Sequence, residues 1–332
     1  MTSHIFLIDT ELQCFASLKI IETEKIHRPI FFSFNKKASH YLKQRKSKVI
    51  PLETKSRGIF RRARALHKNI SKIKKHLNDK NIFYINRLDL IYTNVIIGTL
   101  NKSHNIEVRI VPEGTINYSP EDASVKWEYR AKKKWPSRIS YGVTGLRIYP
   151  IEGERIGTDT PIVSTAYSFS GLESPYPKSK VKYISLPDKT SESDRIGARK
   201  ALVVGQCLLK NSKTPKEVEH RISNEIENKL SSLGVTEIHY IAHPRDEYDC
   251  LFKENYKKIE HDYVCLEQYL EQNEYDVLIS CCSTVLLTAK LIFGDRIDSI
   301  SVGANIYPQA LDSISTIFRV ANVDTIDLDS VG

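Results

Sequence analysis

Three features of the sequence predict an α/β protein built from two doubly wound parallel sheets. Short apolar segments alternate with segments of helical spacing along most of the chain. The alternation lapses once, over Trp135 to Asp188, where Gly, Pro, Ser, Thr and Tyr dominate. The length, 332 residues, is about twice that of a typical domain of roughly 100–200 residues.

The elements follow in order. His4–Ile8 (HIFLI) is an apolar strand, and Glu11–Ile21 repeats Leu12, Phe15, Ala16, Leu18 and Ile20 at helical spacing. Ile30–Phe34 and Val49–Leu52 read as further strands. Ile59–Leu77 is a basic helix with Ile70, Ile73 and Leu77 on its apolar face. Ile82–Ile85 and Ile106–Val111 are strands flanking a helix over Asp89–Leu100. The pattern resumes with strand Ala201–Val204, helix Lys216–Leu233 and strand Glu237–Ala242. A helix over Tyr263–Gln272, strand Val277–Cys281 and helix Ser283–Phe293 complete it. The predicted domains are Rossmann-like, over 1–150 and 201–332, with an inter-domain crossing over 151–200. Two such halves facing each other suggest the GT-B architecture of many glycosyltransferases.

Apolar residues make up 41% of the chain and charged residues 27%, which excludes disordered and collagen-like classes. No apolar run approaches the 18 or so residues of a membrane span, and Met1–Ile8 is too short for a secretion signal. The expected location is therefore the cytoplasm. Net charge is 49 − 40 = +9, unevenly spread. Between Lys55 and Lys80 the only acid is Asp79, against Lys55, Arg57, Arg61, Arg62, Arg64, Lys68, Lys72, Lys74, Lys75 and Lys80. Lys126–Trp135 interleaves further bases with aromatic residues. Such fields attract phosphate-bearing partners, although a solvated helix face explains either run taken alone. The cysteines, Cys14, Cys207, Cys250, Cys265, Cys281 and Cys282, show neither a CxxC pair nor zinc-finger spacing, so buried thiols are expected.

Doubly wound sheets bind ligands at the carboxyl ends of their strands, so the chemistry is sought there. No Gly-x-Gly-x-x-Gly and no Gly-Lys-Ser/Thr loop is present, which argues against dinucleotide enzymes and P-loop kinases. The one Asp-x-Asp, Asp327-Leu328-Asp329, lies at the extreme C-terminus, so no metal site is expected. Three strand ends stand out. Glu113-Gly114 follows Ile106–Val111 and suits a general base beside a bound hydroxyl. His243-Pro244 follows Glu237–Ala242, and the proline holds His243 in extended backbone. Ser283-Thr284 sits between a buried strand and an apolar helix, where N-capping and anion binding use the same hydroxyls and N–H groups.

In this order and spacing the three pairs resemble bacterial sialyltransferases of GT-B fold. Those enzymes carry an acidic-acidic-Gly motif, a His-Pro motif and a Ser-Ser/Thr motif, and include lipooligosaccharide, capsule, O-antigen and polysialyltransferases. The first acidic position is Pro112 here; in the family the carboxylate next to the glycine is the one read as the base, so the resemblance leaves that role with Glu113. The resemblance implies inverting, metal-independent transfer from CMP-sialic acid to a galactoside or sialoside hydroxyl on a bacterial surface glycan precursor. Glu113 would take the hydroxyl proton, with Gly114 and Asn117 on the acceptor side. His243 and Pro244 would meet the CMP phosphate, with protonated His243 stabilising the departing oxygen. Ser283 and Thr284 would hold that phosphate, Glu267 would bind the ribose, and Gly205 and Gln206 would lie beside the nucleotide.

The basic residues of 55–80 then read as a contact for an anionic membrane surface carrying a lipid-linked acceptor. No nucleic acid is expected as a partner, since no helix-turn-helix, zinc-finger or RRM signature accompanies the charge. Two alternatives remain open: a transferase for another CMP-activated acid such as Kdo, and a basic, non-catalytic anion-binding or nucleic-acid-binding protein.

Overall fold

A computed structural model of the chain describes residues 2–53, 58–118, 141–153, 156–186, 199–206, 216–243, 246, 248–307 and 314–329. The Lys126–Trp135 cluster, Lys55, Arg57, Cys207 and Pro244 lie outside the described residues. The chain divides into two compact units, Met1–Ser185 and Leu186–Gly332.

In the first unit, strands β1 (Thr2–Ile8), β2 (Ile30–Ser33), β3 (Val49–Pro51), β4 (Lys80–Ile85), β5 (Ile106–Ile110), β6 (Val163–Phe169) and β7 (Val181–Ile184) pair in parallel. Their spatial order is β3-β2-β1-β4-β5-β6-β7. The chain thus winds outward in opposite senses from the β1/β4 boundary, which opens a crevice at their carboxyl ends. Helices α1 (Glu11–Thr23), α2 (Lys36–Gln44), α3 (Ile59–Lys74) and α4 (Ile91–Leu100) supply crossovers.

Strand alternation sends Ile5, Leu7, Phe83, Ile85 and Ile110 to one core, shared with Leu66, Ile70 and Ile73 of α3 and with Val95 and Ile96 of α4. Phe6 and Tyr84, opposite each other in the β1–β4 register, point the other way, and their rings stack 4.1 Å apart. Helix α1 begins where Thr10 Oγ1 accepts from Gln13 N–H at 3.2 Å. Helix α2, which the periodicity did not reveal, is set by Asn35 Oδ1 accepting from Ala38 N–H at 2.9 Å, with Tyr41 and Leu42 buried.

The second unit repeats the plan. Strands β8 (Arg199–Val204), β9 (Val235–Ile241), β10 (Lys257–Lys258), β11 (Val277–Ser280), β12 (Asp298–Val302) and β13 (Asp324–Ile326) form a parallel sheet in the order β10-β9-β8-β11-β12-β13. Helices α5 (Lys216–Ser232), α6 (Leu266–Leu270), α7 (Thr284–Phe293) and α8 (Ile314–Val320) accompany it. Its core joins Ile222 and Ile226 of α5 to Val203, Tyr240, Ile279 and Ile300 of the sheet. Here the switch in winding falls between β8 and β11.

The expected crossing over 151–200, and with it the domain limit at residue 150, is corrected. Strands β6 and β7 extend the first sheet beyond β5, and the first unit runs to Ser185. The reason is that β6 interrupts its buried Val163, Ala166, Tyr167 and Phe169 with buried Thr165 and Ser168, which breaks the apolar run. The helix expected over Tyr263–Gln272 shortens to Leu266–Leu270.

Candidate functional site

In the first unit, Val111 N–H still donates to Ile85 O at 2.7 Å, so β5 keeps to its neighbour up to the Glu-Gly turn. Asn117 holds that turn from beneath: its Oδ1 accepts from Glu113 N–H at 2.8 Å and from Gly114 N–H at 3.3 Å. Its Nδ2 donates to the Tyr176 hydroxyl at 2.9 Å. Asn117 is only 1% exposed, so it positions the turn rather than presenting itself to an acceptor.

The Glu113 side chain is 20% exposed, yet its Oε2 is buried and makes no hydrogen bond among the described residues. Arg87 Nε stands 4.0 Å from that oxygen and 2.9 Å from Asp89 Oδ1. Burial is the largest influence on the Glu113 carboxyl and raises its pKa; Arg87 and the Asn86 amide oppose the rise, and Asp9 and Asp89 add to it. A carboxylate with its proton affinity raised is better matched to general-base work near neutrality. Asp9 follows β1, Asn86 to Asp89 follow β4, and Glu113 follows β5. The group therefore lines the carboxyl ends of adjacent strands at the switch crevice.

Asn86, Arg87 and Asp89 were missed by the sequence reasoning. Asn86-Arg87-Leu88-Asp89 directly follows the strand Ile82–Ile85, so the strand-end rule applied there would have found them.

In the second unit, Gly205, Gln206, His243, Ser283 and Thr284 come together at the carboxyl ends of β8, β9 and β11, three neighbouring strands. Gly205 N–H donates to Ile241 O at 2.8 Å, and Ser280 Oγ donates to Val204 O at 2.8 Å, which locks the strand ends to one another. His243 is half-buried, and its carbonyl accepts from Asp246 N–H at 2.9 Å. Ser283 is the N-cap of α7, and its hydroxyl accepts from Val285 N–H at 3.4 Å. Thr284 opens the same helix. The half-buried hydroxyls and the first N–H groups of α7 make an arrangement suited to an anion.

Glu267, in α6, bonds to α7 one turn beyond Thr284. It is 5% exposed, and its Oε1 accepts from Thr288 Oγ1 of α7 at 3.1 Å; burial raises its pKa. One carboxylate oxygen is thus engaged inside the unit. Among the described residues no group of three or more His, Cys, Asp or Glu side chains is arranged to hold a metal ion. Cys14, Cys250, Cys265 and Cys281 are buried and Cys282 half-buried, all five outside any disulfide. No described helix is long and apolar enough to cross a membrane.

Comparison with known proteins adds a family to this geometry. No curated protein matches the chain. Among solved structures it is similar to the α/β-galactoside α-2,3-sialyltransferase of Photobacterium phosphoreum, with a TM-score of 0.57 at 11% identity over 98% of each chain. It is also similar to the GT-B domain of a sialyltransferase from Photobacterium damselae, with a TM-score of 0.53 at 11% identity over 98% of this chain and 100% of that one. A third similar structure is the kitacinnamycin glycotransferase, with a TM-score of 0.52 at 11% identity over 100% of this chain and 88% of that one. These likenesses are of fold, and the fold is GT-B. Residues 30–299 match the family described as alpha-2,8-polysialyltransferase (POLYST), a span that takes in Glu113, His243 and Ser283. With most of the chain inside the matched region, the chain belongs to the alpha-2,8-polysialyltransferase family.

Proposed function

We propose that this sialyltransferase moves sialic acid from CMP-sialic acid to a sugar hydroxyl by a single inverting displacement that needs no metal. The observation that carries the reading is Glu113: a strand-end carboxylate, raised in proton affinity by burial, at the crevice where the first sheet changes its sense of winding. In the step, Glu113 takes the acceptor proton while the hydroxyl oxygen attacks the anomeric carbon. The bond from that carbon to the phosphate oxygen breaks, and its electron pair leaves with CMP. His243, Ser283, Thr284 and the N-terminus of α7 receive the phosphate charge, and donors of this kind aimed at developing charge carry much of such catalysis. Gly205 and Gln206 flank the nucleotide. Glu267 would bind the ribose. The family description supports a sialoside as acceptor.

The acceptor is a lipid-linked precursor of a bacterial surface glycan, met at the inner face of the membrane. Arg61, Arg64, Lys68 and Lys74, exposed along α3, with Lys75 just beyond it, support peripheral attachment there. Each adds about 1 kcal/mol near an anionic surface. High salt should strip the protein from membranes; retention after such a wash would remove the electrostatic attachment.

The deciding experiment incubates the protein with CMP-sialic acid or CMP-Kdo, with sialoside or galactoside acceptors, in EDTA. Transfer of sialic acid to the sialoside is expected. Transfer from CMP-Kdo alone would reassign the donor, transfer to the galactoside alone would reassign the acceptor, and turnover restored only by Mg²⁺ or Mn²⁺ would end the metal-free mechanism.

A further inference from the structure

Asn86 is 1% exposed, and its orientation is fixed, because Oδ1 accepts the Arg87 backbone N–H at 2.9 Å. Its Nδ2 is left buried without a hydrogen bond among the described residues. Arg87 Nε is likewise buried without a bond of good geometry, although an Asp89 oxygen lies 2.9 Å away. Glu113 Oε2 is the matching orphan acceptor, 4.0 Å from Arg87 Nε. Buried polar atoms are nearly always satisfied, so a donor, Asn86 Nδ2, and an acceptor, Glu113 Oε2, left open beside the Arg87–Asp89 ion pair require an account.

The loop that carries the donors is held firmly. Leu88 is fully buried, and its N–H donates to Ile156 O at 2.9 Å. Gly157, at φ +88°, presses so closely on it that a Cβ there would meet Leu88 Cδ1 at 2.9 Å. The backbone that carries the donors is therefore fixed.

We infer that Asn86 and Arg87 are positioning residues for the base, gripping Glu113 Oε2 so that Oε1 alone faces the acceptor and takes its proton. In the structure Arg87 Nε stands 4.0 Å from that oxygen, beyond hydrogen-bond length, and such contacts tighten when the reacting complex forms. The inference rests on the proposed role of Glu113 as base. The charged groups facing Glu113 are Asp9 from the end of β1 and Arg87 and Asp89 from the end of β4; of these only Arg87 favours the carboxylate.

The test is the pH dependence of kcat/KM. In Arg87→Gln the rate should fall roughly tenfold on the acid limb, with the deficit closing as pH rises, because the carboxylate has lost its cationic neighbour. Arg87→Lys should restore the limb, and Asn86→Ala should displace it in the same sense by a smaller amount. A loss of equal size at every pH, or no loss, would overturn the inference. Should Arg87→Gln fail to fold, ¹³C NMR titration of the Glu113 carboxyl in Asn86→Ala, assigned with Glu113→Gln, replaces the rate measurement. An upward displacement is expected, and an unchanged titration refutes the grip. The titration also separates the two readings: Glu113→Gln with near-normal turnover removes the base, whereas an unmoved titration removes only the positioning pair.

Discussion

Gly205 lies against the backbone of His243. A Cβ at position 205 would stand 2.7 Å from the His243 nitrogen and from the Tyr240 hydroxyl, and 3.0 Å from Ile241 O. Two of the three obstacles are main-chain atoms, which cannot swing aside. Gly205→Ala should therefore push the end of β8 away from that of β9, at a cost of about 1–3 kcal/mol. A lower urea midpoint together with weaker CMP binding by calorimetry is the expected pair of results. A variant with wild-type stability and affinity would show that the two strand ends separate without consequence.

His243 is assigned to the phosphate, so its loss should appear in binding as well as in rate. His243→Ala should weaken CMP by about ten- to a hundredfold, the range for a hydrogen bond to a charged group. Isothermal titration with CMP alone measures this without any acceptor. Unchanged affinity would take His243 away from the nucleotide.

Glu113→Gln keeps the shape of the side chain and removes its ability to accept a proton. Transfer should fall by about two to four orders of magnitude, with CMP affinity and the thermal midpoint close to wild type. The wild-type rate should rise with pH as Glu113 ionises, and burial sets that limb above the ordinary carboxyl range. A near-normal rate in the variant would require another base.

Glu267 governs stability in the opposite pH direction from a salt-bridged carboxylate. Its folded pKa is raised, so between the ordinary carboxyl range and that raised value the folded chain binds the extra proton. Below this window both states are protonated and Glu267 costs nothing; as pH rises through it, stability is lost. Glu267→Gln keeps an acceptor for Thr288 and removes the loss, so its thermal midpoint should exceed wild type at pH 8 and converge with it near pH 4. Equal midpoints at both pH values would contradict the burial of an ionisable group there.

The apolar strands were legible because both faces of a parallel sheet are covered, which makes HIFLI, IFFSF and EIHYIA continuous signals. The three motif pairs were legible because strand ends are where such sheets bind ligands. Strand β6 was hidden because Thr165 and Ser168 occupy buried positions that sequence patterning assigns to apolar residues. The nearness of Arg87 to Glu113 was hidden for another reason: α4 and β5 separate them in sequence, and only the pairing of β4 with β5 brings them side by side. That Asn117 spends its carboxamide on the turn was not legible, because spacing does not say which way a side chain points.

The bonds of Asn117 make it a two-sided joint. One end of the carboxamide holds the turn that carries Glu113, and the other holds Tyr176, in the stretch between β6 and β7. Aspartate at 117 would keep the first connection and reverse the second, with the Tyr176 hydroxyl donating, at the cost of burying a charge; leucine would give up both, and serine is too short to span them. Evolutionary freedom is thus narrow at a position buried beneath the turn. Drift in the β6–β7 stretch is restrained along with it, because whatever stands at 176 must still offer Asn117 an oxygen.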